Sequence, residues 1–260
     1  MNATDTQTIH RVTHEIKRRK LEVLRVVDLT PRMRRITVGG AQLAGFISLG
    51  SDDHVKLFFP QTAEELATLE NLELSAGMKS KTMPPMRDYT PRRYDLDTLE
   101  LDIDFVLHGD GPAATWAAQA RPGQWLYIGG PRGSMVVPDM FDSYLLIGDE
   151  TALPAIARRL EELPANRRAL VVVEVENAAE EQTLNSAASV DVIWVHRDGS
   201  NNLLEIVQGL SIPQGKLYAW VATETALSRK VRRVLLDTHG LNEEFVKAAG
   251  YWRLDSSTED

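Results

Sequence analysis

The chain has 260 residues, 43% of them hydrophobic, with a net charge of −8 and no cysteine. This composition is typical of a globular protein with one large or two ordinary domains, and it excludes disulfides, Cys-ligated iron–sulfur clusters and thiolate catalysis. Residues 1–140 hold 17 basic and 18 acidic side chains, and residues 141–260 hold 12 basic and 19 acidic ones. Neither half has the net positive charge that proteins usually use to bind nucleic acid, so nucleic acid is not an expected partner. The sequence has no apolar run of the ~18 residues that a membrane span needs and no signal-peptide core, so we expect a cytoplasmic protein.

The first half of the chain is predicted to form short antiparallel strands, at 21–29, 33–38, 54–59 and 98–107. In the last of these runs, apolar residues alternate with Glu100, Asp102 and Asp104, which predicts a strand whose three carboxylates face solvent. Several such strands favour a small barrel or sandwich. Residues 62–86 form a polar insertion, in which the pattern predicts a short helix over 64–74.

From about residue 142 the pattern changes to continuous apolar strands that alternate with helices. The strands are predicted at 144–147, 169–175, 190–195 and 217–222, and the helices at 152–163 and 226–239. This alternation indicates a parallel sheet covered on both faces. The predicted fold is an N-terminal antiparallel six-stranded β-barrel followed by a parallel-sheet α/β domain. The predicted divisions are a tail at 1–20, the barrel at 21–140 and the α/β domain at 141–260.

The densest cluster of chemically capable side chains is Arg-Asp-Tyr-Thr-Pro-Arg-Arg-Tyr at 87–94. Arg87 and Arg92 can clamp phosphate, Tyr89 offers an aromatic plate, and Thr90 supplies a hydroxyl. The same eight residues also fit an ordinary surface strand with solvated arginines, and the cluster alone does not decide between the two interpretations.

Three glycine-rich turns follow this cluster. The turn at 108–117 leads through Gly111 into an alanine-rich helix, the turn at 129–134 presents Arg132, and the turn at 148–154 follows the first strand of the α/β domain. A turn that opens a helix is an anion site because its N–H groups are free, and open parallel sheets bind ligands at the carboxyl ends of their strands. None of the three is a dinucleotide fingerprint or a Walker loop.

Taken in this order, the motifs resemble the ferredoxin–NADP⁺ reductase superfamily, and more closely its siderophore-interacting branch, the cytoplasmic ferric-siderophore reductases. The resemblance spans residues 20–253 and is carried by DHVKLFFP (53–60), RDYTPRRYD (87–95), residues 104–134, GDETALPAI (148–156), WVHRDG (194–199) and YWR (251–253). One position departs from the family pattern, because Ala222-Thr223-Glu224 stands where the family usually has Gly-Glu.

The resemblance implies FAD as cofactor and NADPH or NADH as electron donor. It assigns catalytic roles to Tyr89, which would stack on the isoalloxazine, and to Thr90, which would approach flavin N5. Arg87 would clamp the pyrophosphate. The other cofactor-binding residues that it implies are Arg92, His108, Gly111, Ala113, Ala114 and Thr115 for FAD, and Gly148, Asp149, Thr151, Ala152 and Arg197 for the nicotinamide nucleotide.

The resemblance also implies the substrate, a ferric siderophore or other ferric chelate whose iron is released as Fe²⁺. A flavin converts hydride chemistry into single-electron transfer to iron(III). Because ferric catecholates are anionic, Lys56, Arg132 and Arg253 are the implied substrate-binding residues. We expect no protein metal ligands, no nucleic-acid partner, no membrane span, and a monomer or weak dimer.

Several alternatives stay open from the sequence. The chain could be a general flavin or diaphorase-type reductase, or a siderophore-binding module without turnover, an idea that the departure at 222–223 keeps alive. Arg197 or Arg229-Lys230 would favour NADPH, whereas Glu174 and Glu176 would favour NADH if they faced the ribose. Tyr251-Trp252 fits either core packing or a cover over the flavin.

Overall fold

The structure is a computed structural model that describes residues 8–71 and 82–254. It divides the chain into two compact units, with the division between Val137 and Pro138. Each unit has its own sheet and its own apolar core.

The first unit is built on a seven-stranded antiparallel sheet of order β5-β4-β8-β2-β3-β7-β6. The antiparallel architecture is confirmed, with one strand more than the six predicted for a barrel. Its strands are β2 (Arg18–Thr30), β3 (Met33–Gly39), β4 (Val55–Phe58), β5 (Met86–Tyr89), β6 (Arg93–Asp95), β7 (Glu100–Val106) and β8 (Trp125–Gly129). Helices α1 (Ala63–Asn71) and α2 (Pro112–Gln119) belong to the same unit.

Part of the predicted N-terminal tail is a strand. β1 (His10–Thr13) pairs antiparallel with β9 (Gly133–Val136). Just beyond it, His14 Nε2 lies 2.7 Å from Ser134 Oγ, and that hydroxyl donates to Asp53 at 2.5 Å. The prediction of a tail was wrong here because four residues are too short for a periodicity test, and the partner strand lies more than 100 residues away.

The predicted solvent-facing carboxylates of β7 are the clearest error. Leu101, Ile103 and Phe105 are buried as the alternation predicts, but Asp102 and Asp104 on the other face are each only 6% exposed. The register of β3 against β7 places Arg35 opposite Asp104 and Thr37 opposite Asp102. Arg35 donates two hydrogen bonds to Asp104, at 2.7 and 2.8 Å, and the Thr37 hydroxyl donates to Asp102 at 2.7 Å. Asp102 also accepts from Arg93, its cross-strand neighbour on β6, at 3.2 Å. Cross-strand cations therefore compensate both carboxylates where water was expected.

Helix α1 lies in the predicted insertion and packs on the outer side of the sheet. Leu66 and Leu69 pack with Phe58 and Tyr127. Glu70 accepts hydrogen bonds from the Tyr127 hydroxyl at 2.6 Å and from the Lys20 ammonium at 3.0 Å. The predicted helix over 64–74 is thus observed to residue 71, and its last three residues lie outside the described part of the chain.

The second unit contains the predicted parallel sheet, of order β12-β11-β10-β13-β14. All of its strand pairs are parallel, and none of the described helices is long and apolar enough to cross a membrane. Its elements are β10 (Ser143–Asp149), α3 (Leu153–Glu162), β11 (Arg168–Val175), β12 (Ser189–His196), α4 (Leu203–Gln208), β13 (Leu217–Glu224), α5 (Thr225–Asp237) and β14 (Val246–Trp252).

Candidate functional site

Edge strand β5 positions the first group of candidate residues. It pairs with β4 so that Tyr89 lies opposite Val55 and Arg87 opposite Leu57. The Tyr89 ring packs against Phe105 of β7, with 4.5 Å between ring centroids. Packing on a buried phenylalanine fixes the aromatic plane at the end of β5, where Thr90 follows directly.

The polar groups of this strand end have few protein partners. The Arg87 guanidinium donates to the Met86 carbonyl at 2.8 Å and forms no ion pair with any described residue. The hydroxyls of Tyr89 and Thr90 have no hydrogen-bond partner within residues 8–71 and 82–254, although Thr90 is only 6% exposed. Burial raises the pKa of the Tyr89 phenol, and the nearby Arg87 offsets this only in part. The phenol is therefore neutral, and the strand end offers a ring, a hydroxyl and a cation.

Helix α2 packs against the same part of the sheet. Trp116 of α2 packs on Phe105 with 5.7 Å between ring centroids, and α2 also contacts β5. Gly111 precedes the helix and provides no side-chain cap, and the first turn holds no acidic residue. The first intrahelical hydrogen bond runs from the Thr115 N–H to the Gly111 carbonyl at 2.9 Å. The N–H groups of Ala113 and Ala114 precede that bond, so the helix start can accept an anion.

Two further predicted residues of this unit differ in their surroundings. Arg92 is 8% exposed, and its Nε lies 4.0 Å from Asp104 Oδ2, so a buried carboxylate compensates its charge. His108 is exposed in the loop before α2. The structure thus brings Arg92 to the carboxylates of β7 and leaves His108 in water.

The two basic residues that were predicted to bind substrate in this unit are not equivalent. Lys56 donates to Asp88 at 2.8 Å, and strand alternation places this pair on the face opposite the buried side chain of Leu57. Arg132 is exposed, and its guanidinium has no ion-pair partner in the described segments. Of the two, Arg132 has the uncompensated charge.

In the second unit, the turn after β10 is shaped by close packing. A Cβ at Gly148 would lie 2.3 Å from the Ala152 Cβ and 3.1 Å from the Ala222 carbonyl oxygen. Only glycine allows the start of α3 to approach the sheet this closely. The predicted pair Gly148 and Ala152 is therefore brought together at the carboxyl end of β10.

Asp149 is buried at this strand end, with 2% of its surface exposed. One carboxylate oxygen accepts from the Thr151 N–H at 2.9 Å and the Thr151 hydroxyl at 2.5 Å, and the other accepts from Trp252 Nε1 at 2.7 Å. Burial raises the pKa of Asp149, whereas the hydrogen bonds from Thr151 and Trp252 act to lower it. Protein donors thus occupy both oxygens of a residue predicted to contact the nucleotide.

Arg197 forms ion pairs with the carboxylates at the ends of β10 and β11. Its guanidinium is bidentate to Glu150 and also contacts Glu174 at 3.1 Å and Glu176 at 3.7 Å. The sequence pattern offered Arg197 and the two strand-end glutamates as opposing determinants of nucleotide choice. The structure brings all of them into one cluster, a contact that spacing along the chain does not reveal.

The departure at 222–224 is accommodated inside β13. Ala222 and Thr223 are fully buried, so neither side chain protrudes at the strand end. Glu224 caps helix α5, accepting from the N–H groups of Ala226 at 2.6 Å and Leu227 at 2.9 Å. The glutamate therefore has a structural partner at the start of α5.

The end of β14 carries the remaining candidate residues. Tyr251 packs edge-on against Trp220 with 6.0 Å between ring centroids, and Trp252 is 39% exposed. Arg253 is exposed and has no ion-pair partner among the residues that the structure describes. Sequence reasoning left the role of Trp252 open and missed its hydrogen bond to Asp149.

Comparison with known families matches almost the whole chain. Residues 22–135 match the model of the siderophore-interacting FAD-binding domain, and residues 141–255 match the model of the siderophore-interacting protein.

Individual relatives agree with this match. The chain is 35% identical over 245 residues to an NADPH-dependent ferric-chelate reductase of Escherichia coli, covering 93% of this chain and 95% of the relative. It is 30% identical over 257 residues to the ferric vibriobactin reductase ViuB of Vibrio cholerae, covering 95% of each. The crystal structure of a siderophore utilization protein from T. fusca superposes with a TM-score of 0.83 at 35% identity, covering 96% of this chain and 99% of that one.

Proposed function

Because the chain belongs to the siderophore-interacting protein family, we propose that it is an FAD-dependent reductase that oxidises NADPH or NADH and reduces ferric siderophores or related ferric chelates. The names of the relatives support this proposal: an NADPH-dependent ferric-chelate reductase in E. coli and a ferric vibriobactin reductase in V. cholerae. We assign FAD binding to residues 21–140 and the nicotinamide nucleotide to residues 141–260.

The end of β5 and the start of α2 fit FAD. The carrying observation is the set of polar groups around the Tyr89 ring that have no partner in the described part of the chain: an Arg87 guanidinium without a carboxylate and a Thr90 hydroxyl without a hydrogen bond. The uncapped start of α2 adds free N–H groups for a diphosphate. When bound, FAD supplies the chemistry that accepts a hydride from the nicotinamide and delivers single electrons to iron.

The side chains of this unit bind and orient the cofactor. Tyr89 presents an aromatic ring for stacking, and burial, which raises the pKa of its phenol, keeps that phenol neutral at any physiological pH. Thr90 provides a hydroxyl for the isoalloxazine, and Arg87 provides a fork of N–H donors for phosphate oxygens. Ala113 and Ala114 leave their main-chain N–H groups open to the same anion, because their side chains are small.

For the nicotinamide nucleotide, Gly148, Thr151 and Ala152 supply the small surface at the end of β10. Asp149 and Arg197 act indirectly, since their polar atoms are bound to Thr151, Trp252 and three glutamates. They shape the strand ends on which the nucleotide lies.

The substrate is an anionic complex that brings its own iron ligands. Oxidation of one NADPH to NADP⁺ and a proton releases two electrons, which reduce two iron(III) complexes to iron(II). Arg132 and Arg253 provide uncompensated positive charge for the chelate, and Lys56 contributes a charge that it shares with Asp88. We place the protein in the cytoplasm, because reduced nicotinamide nucleotides are available there. We propose that it acts as a monomer or weak dimer.

Replacement of Arg132 by alanine is expected to raise the KM for an anionic ferric chelate about tenfold, with little change in the KM for NADPH, because an unpaired guanidinium contributes roughly one charge-assisted hydrogen bond. The Lys56→Ala variant is expected to have the smaller effect, since Asp88 already shares that charge. Steady-state kinetics with an anionic and a neutral chelate measure this difference. Equal changes for NADPH and for both chelates would contradict a substrate role.

An anaerobic comparison of electron acceptors tests the proposed function. Protein loaded with FAD is mixed with NADPH or NADH and with a ferric catecholate, a ferric citrate complex or a quinone, and Fe²⁺ is trapped by a coloured chelator. A ferric-chelate reductase forms two Fe²⁺ per nucleotide oxidised and prefers the ferric complexes. Preference for the quinone would favour a diaphorase-type reductase, and chelate binding without turnover would favour a siderophore-binding module.

A further inference from the structure

Two hydrogen bonds hold Trp252 at the end of β14. Its indole Nε1 donates to Asp149 Oδ2 at 2.7 Å, and its carbonyl accepts from the Thr225 hydroxyl at 2.8 Å. β13 lies between β10 and β14 in the sheet, so the indole bond to Asp149 passes over the end of β13. The last residues of β14 are therefore tied to two other elements, β10 and α5.

These ties act where the strand pairing is irregular. β14 is the edge of its sheet, and its register with β13 shifts between Thr223 and Glu224, the latter opposite Trp252. Main-chain bonds alone hold such an end weakly. Close packing adds to the side-chain bonds, because a Cβ at Gly250 would lie 2.4 Å from the Thr225 hydroxyl oxygen.

Asp149 is fully committed to this arrangement. It is 2% exposed, and its two oxygens accept three hydrogen bonds from Thr151 and Trp252. A buried carboxylate is costly unless its oxygens are paired. Protein donors already pair both oxygens, so the carboxylate holds the indole of Trp252 in place. Arg253 is the next residue in the chain, and its main chain is fixed with that of Trp252.

We propose that Asp149 is a positioning residue for Arg253: by holding the Trp252 indole, it fixes the end of β14 and presents the Arg253 guanidinium to the anionic ferric chelate. This inference rests on the proposed function, which assigns Arg253 to the substrate. Arg253 is exposed and forms no ion pair with the described residues. Fixing its main chain before the chelate arrives lowers the entropy cost of binding.

The variants separate the effect of the Asp149–Trp252 hydrogen bond from the effect of the Arg253 charge. Trp252→Phe keeps an aromatic ring but removes the Nε1 donor, together with part of the indole ring system. Asp149→Asn keeps the shape, but its amide has one acceptor oxygen and therefore cannot serve both Thr151 and Trp252. Arg253→Ala removes the charge itself. Trp125→Phe is the matched control, because Trp125 is exposed in the first unit and its indole donates no hydrogen bond to a described residue.

The test is binding of a gallium(III) catecholate complex to the FAD-loaded protein, measured by titration calorimetry. Gallium(III) has the charge of iron(III) and is not reduced, so binding is read without turnover. We expect Arg253→Ala to weaken binding about tenfold, and Trp252→Phe and Asp149→Asn to weaken it about threefold to tenfold, which is less than the full effect of one hydrogen bond to a charged group because the lost bond acts only through Arg253. Combining Trp252→Phe with Arg253→Ala should add nothing further.

The outcomes distinguish this inference from the proposed function. If Arg253→Ala weakens binding and Trp252→Phe behaves like the Trp125→Phe control, the positioning role is wrong and the substrate role of Arg253 stands. If Arg253→Ala leaves binding unchanged, the assignment of Arg253 to the substrate is wrong, and the positioning role is overturned with it. Steady-state kinetics give a second measure, because mispositioning of Arg253 in Trp252→Phe raises the KM for an anionic ferric chelate more than the KM for a neutral one.

Discussion

Replacement of Arg87 by alanine is expected to weaken FAD binding by about 10- to 100-fold, the loss of one or two hydrogen bonds from a charged donor to phosphate. The effect is large because the guanidinium forms no ion pair within the described residues and donates only to the Met86 carbonyl at 2.8 Å. Its charge is therefore available to a ligand. Titration of FAD into the apoprotein, followed by the quenching of flavin fluorescence, measures the dissociation constant.

Two variants accompany this experiment. Arg121→Ala removes an exposed arginine that also has no ion-pair partner in the described chain, and it should leave the FAD affinity unchanged. Arg87→Lys keeps the charge but loses the planar fork, so it should recover part of the affinity. Full flavin occupancy at wild-type affinity in Arg87→Ala would remove Arg87 from the cofactor site.

Replacement of Asp104 by asparagine is expected to lower the free energy of unfolding by about 2–4 kcal/mol. Breaking a buried ion pair costs roughly 3–5 kcal/mol, and the lower figure allows for Arg35, whose side chain is 27% exposed. Asp104 is bidentate to Arg35 and 4.0 Å from Arg92. The variant therefore leaves two cations with a neutral partner. Urea unfolding at saturating FAD, and again without FAD, separates loss of stability from loss of ligand.

Asp97→Asn is the control for this variant, because Asp97 is exposed and its carboxylate has no ion-pair partner among the described residues. It should change the free energy of unfolding by less than about 0.5 kcal/mol. If Asp104→Asn were as stable as Asp97→Asn, the ion pair of Asp104 with Arg35 would contribute nothing to stability. The carboxylates on that face of β7 would then behave as solvent-exposed groups, as the alternation alone predicts.

Local periodicity was enough to predict most elements of the fold. β7 follows from the alternation of apolar and acidic residues, β10, β11 and β13 follow from continuous apolar runs, and α5 follows from its apolar stripe. Each of these patterns reports the face that its own side chains share. It does not report what covers the other face, and for this reason Asp102 and Asp104 were predicted to meet water although β3 brings Arg35 and Thr37 to them.

The candidate site was predictable where its residues are consecutive. Arg87, Tyr89 and Thr90 lie within one strand end, so their chemistry is visible in the sequence itself. The bond between Asp149 and Trp252 joins residues 103 positions apart, and the contacts of Arg197 depend on how the ends of β10, β11 and β12 align in the sheet. Such pairings follow from sheet order and register, which residue patterns along one chain leave open.

The most direct test of the account is a pair of anaerobic half-reactions on the FAD-loaded protein. We predict that NADPH or NADH bleaches the visible flavin absorbance, and that a ferric catecholate then restores it while two Fe²⁺ are trapped per nucleotide oxidised. A protein that takes up no FAD, or whose reduced flavin persists unchanged in the presence of ferric chelates, would contradict the assignment as a ferric-siderophore reductase.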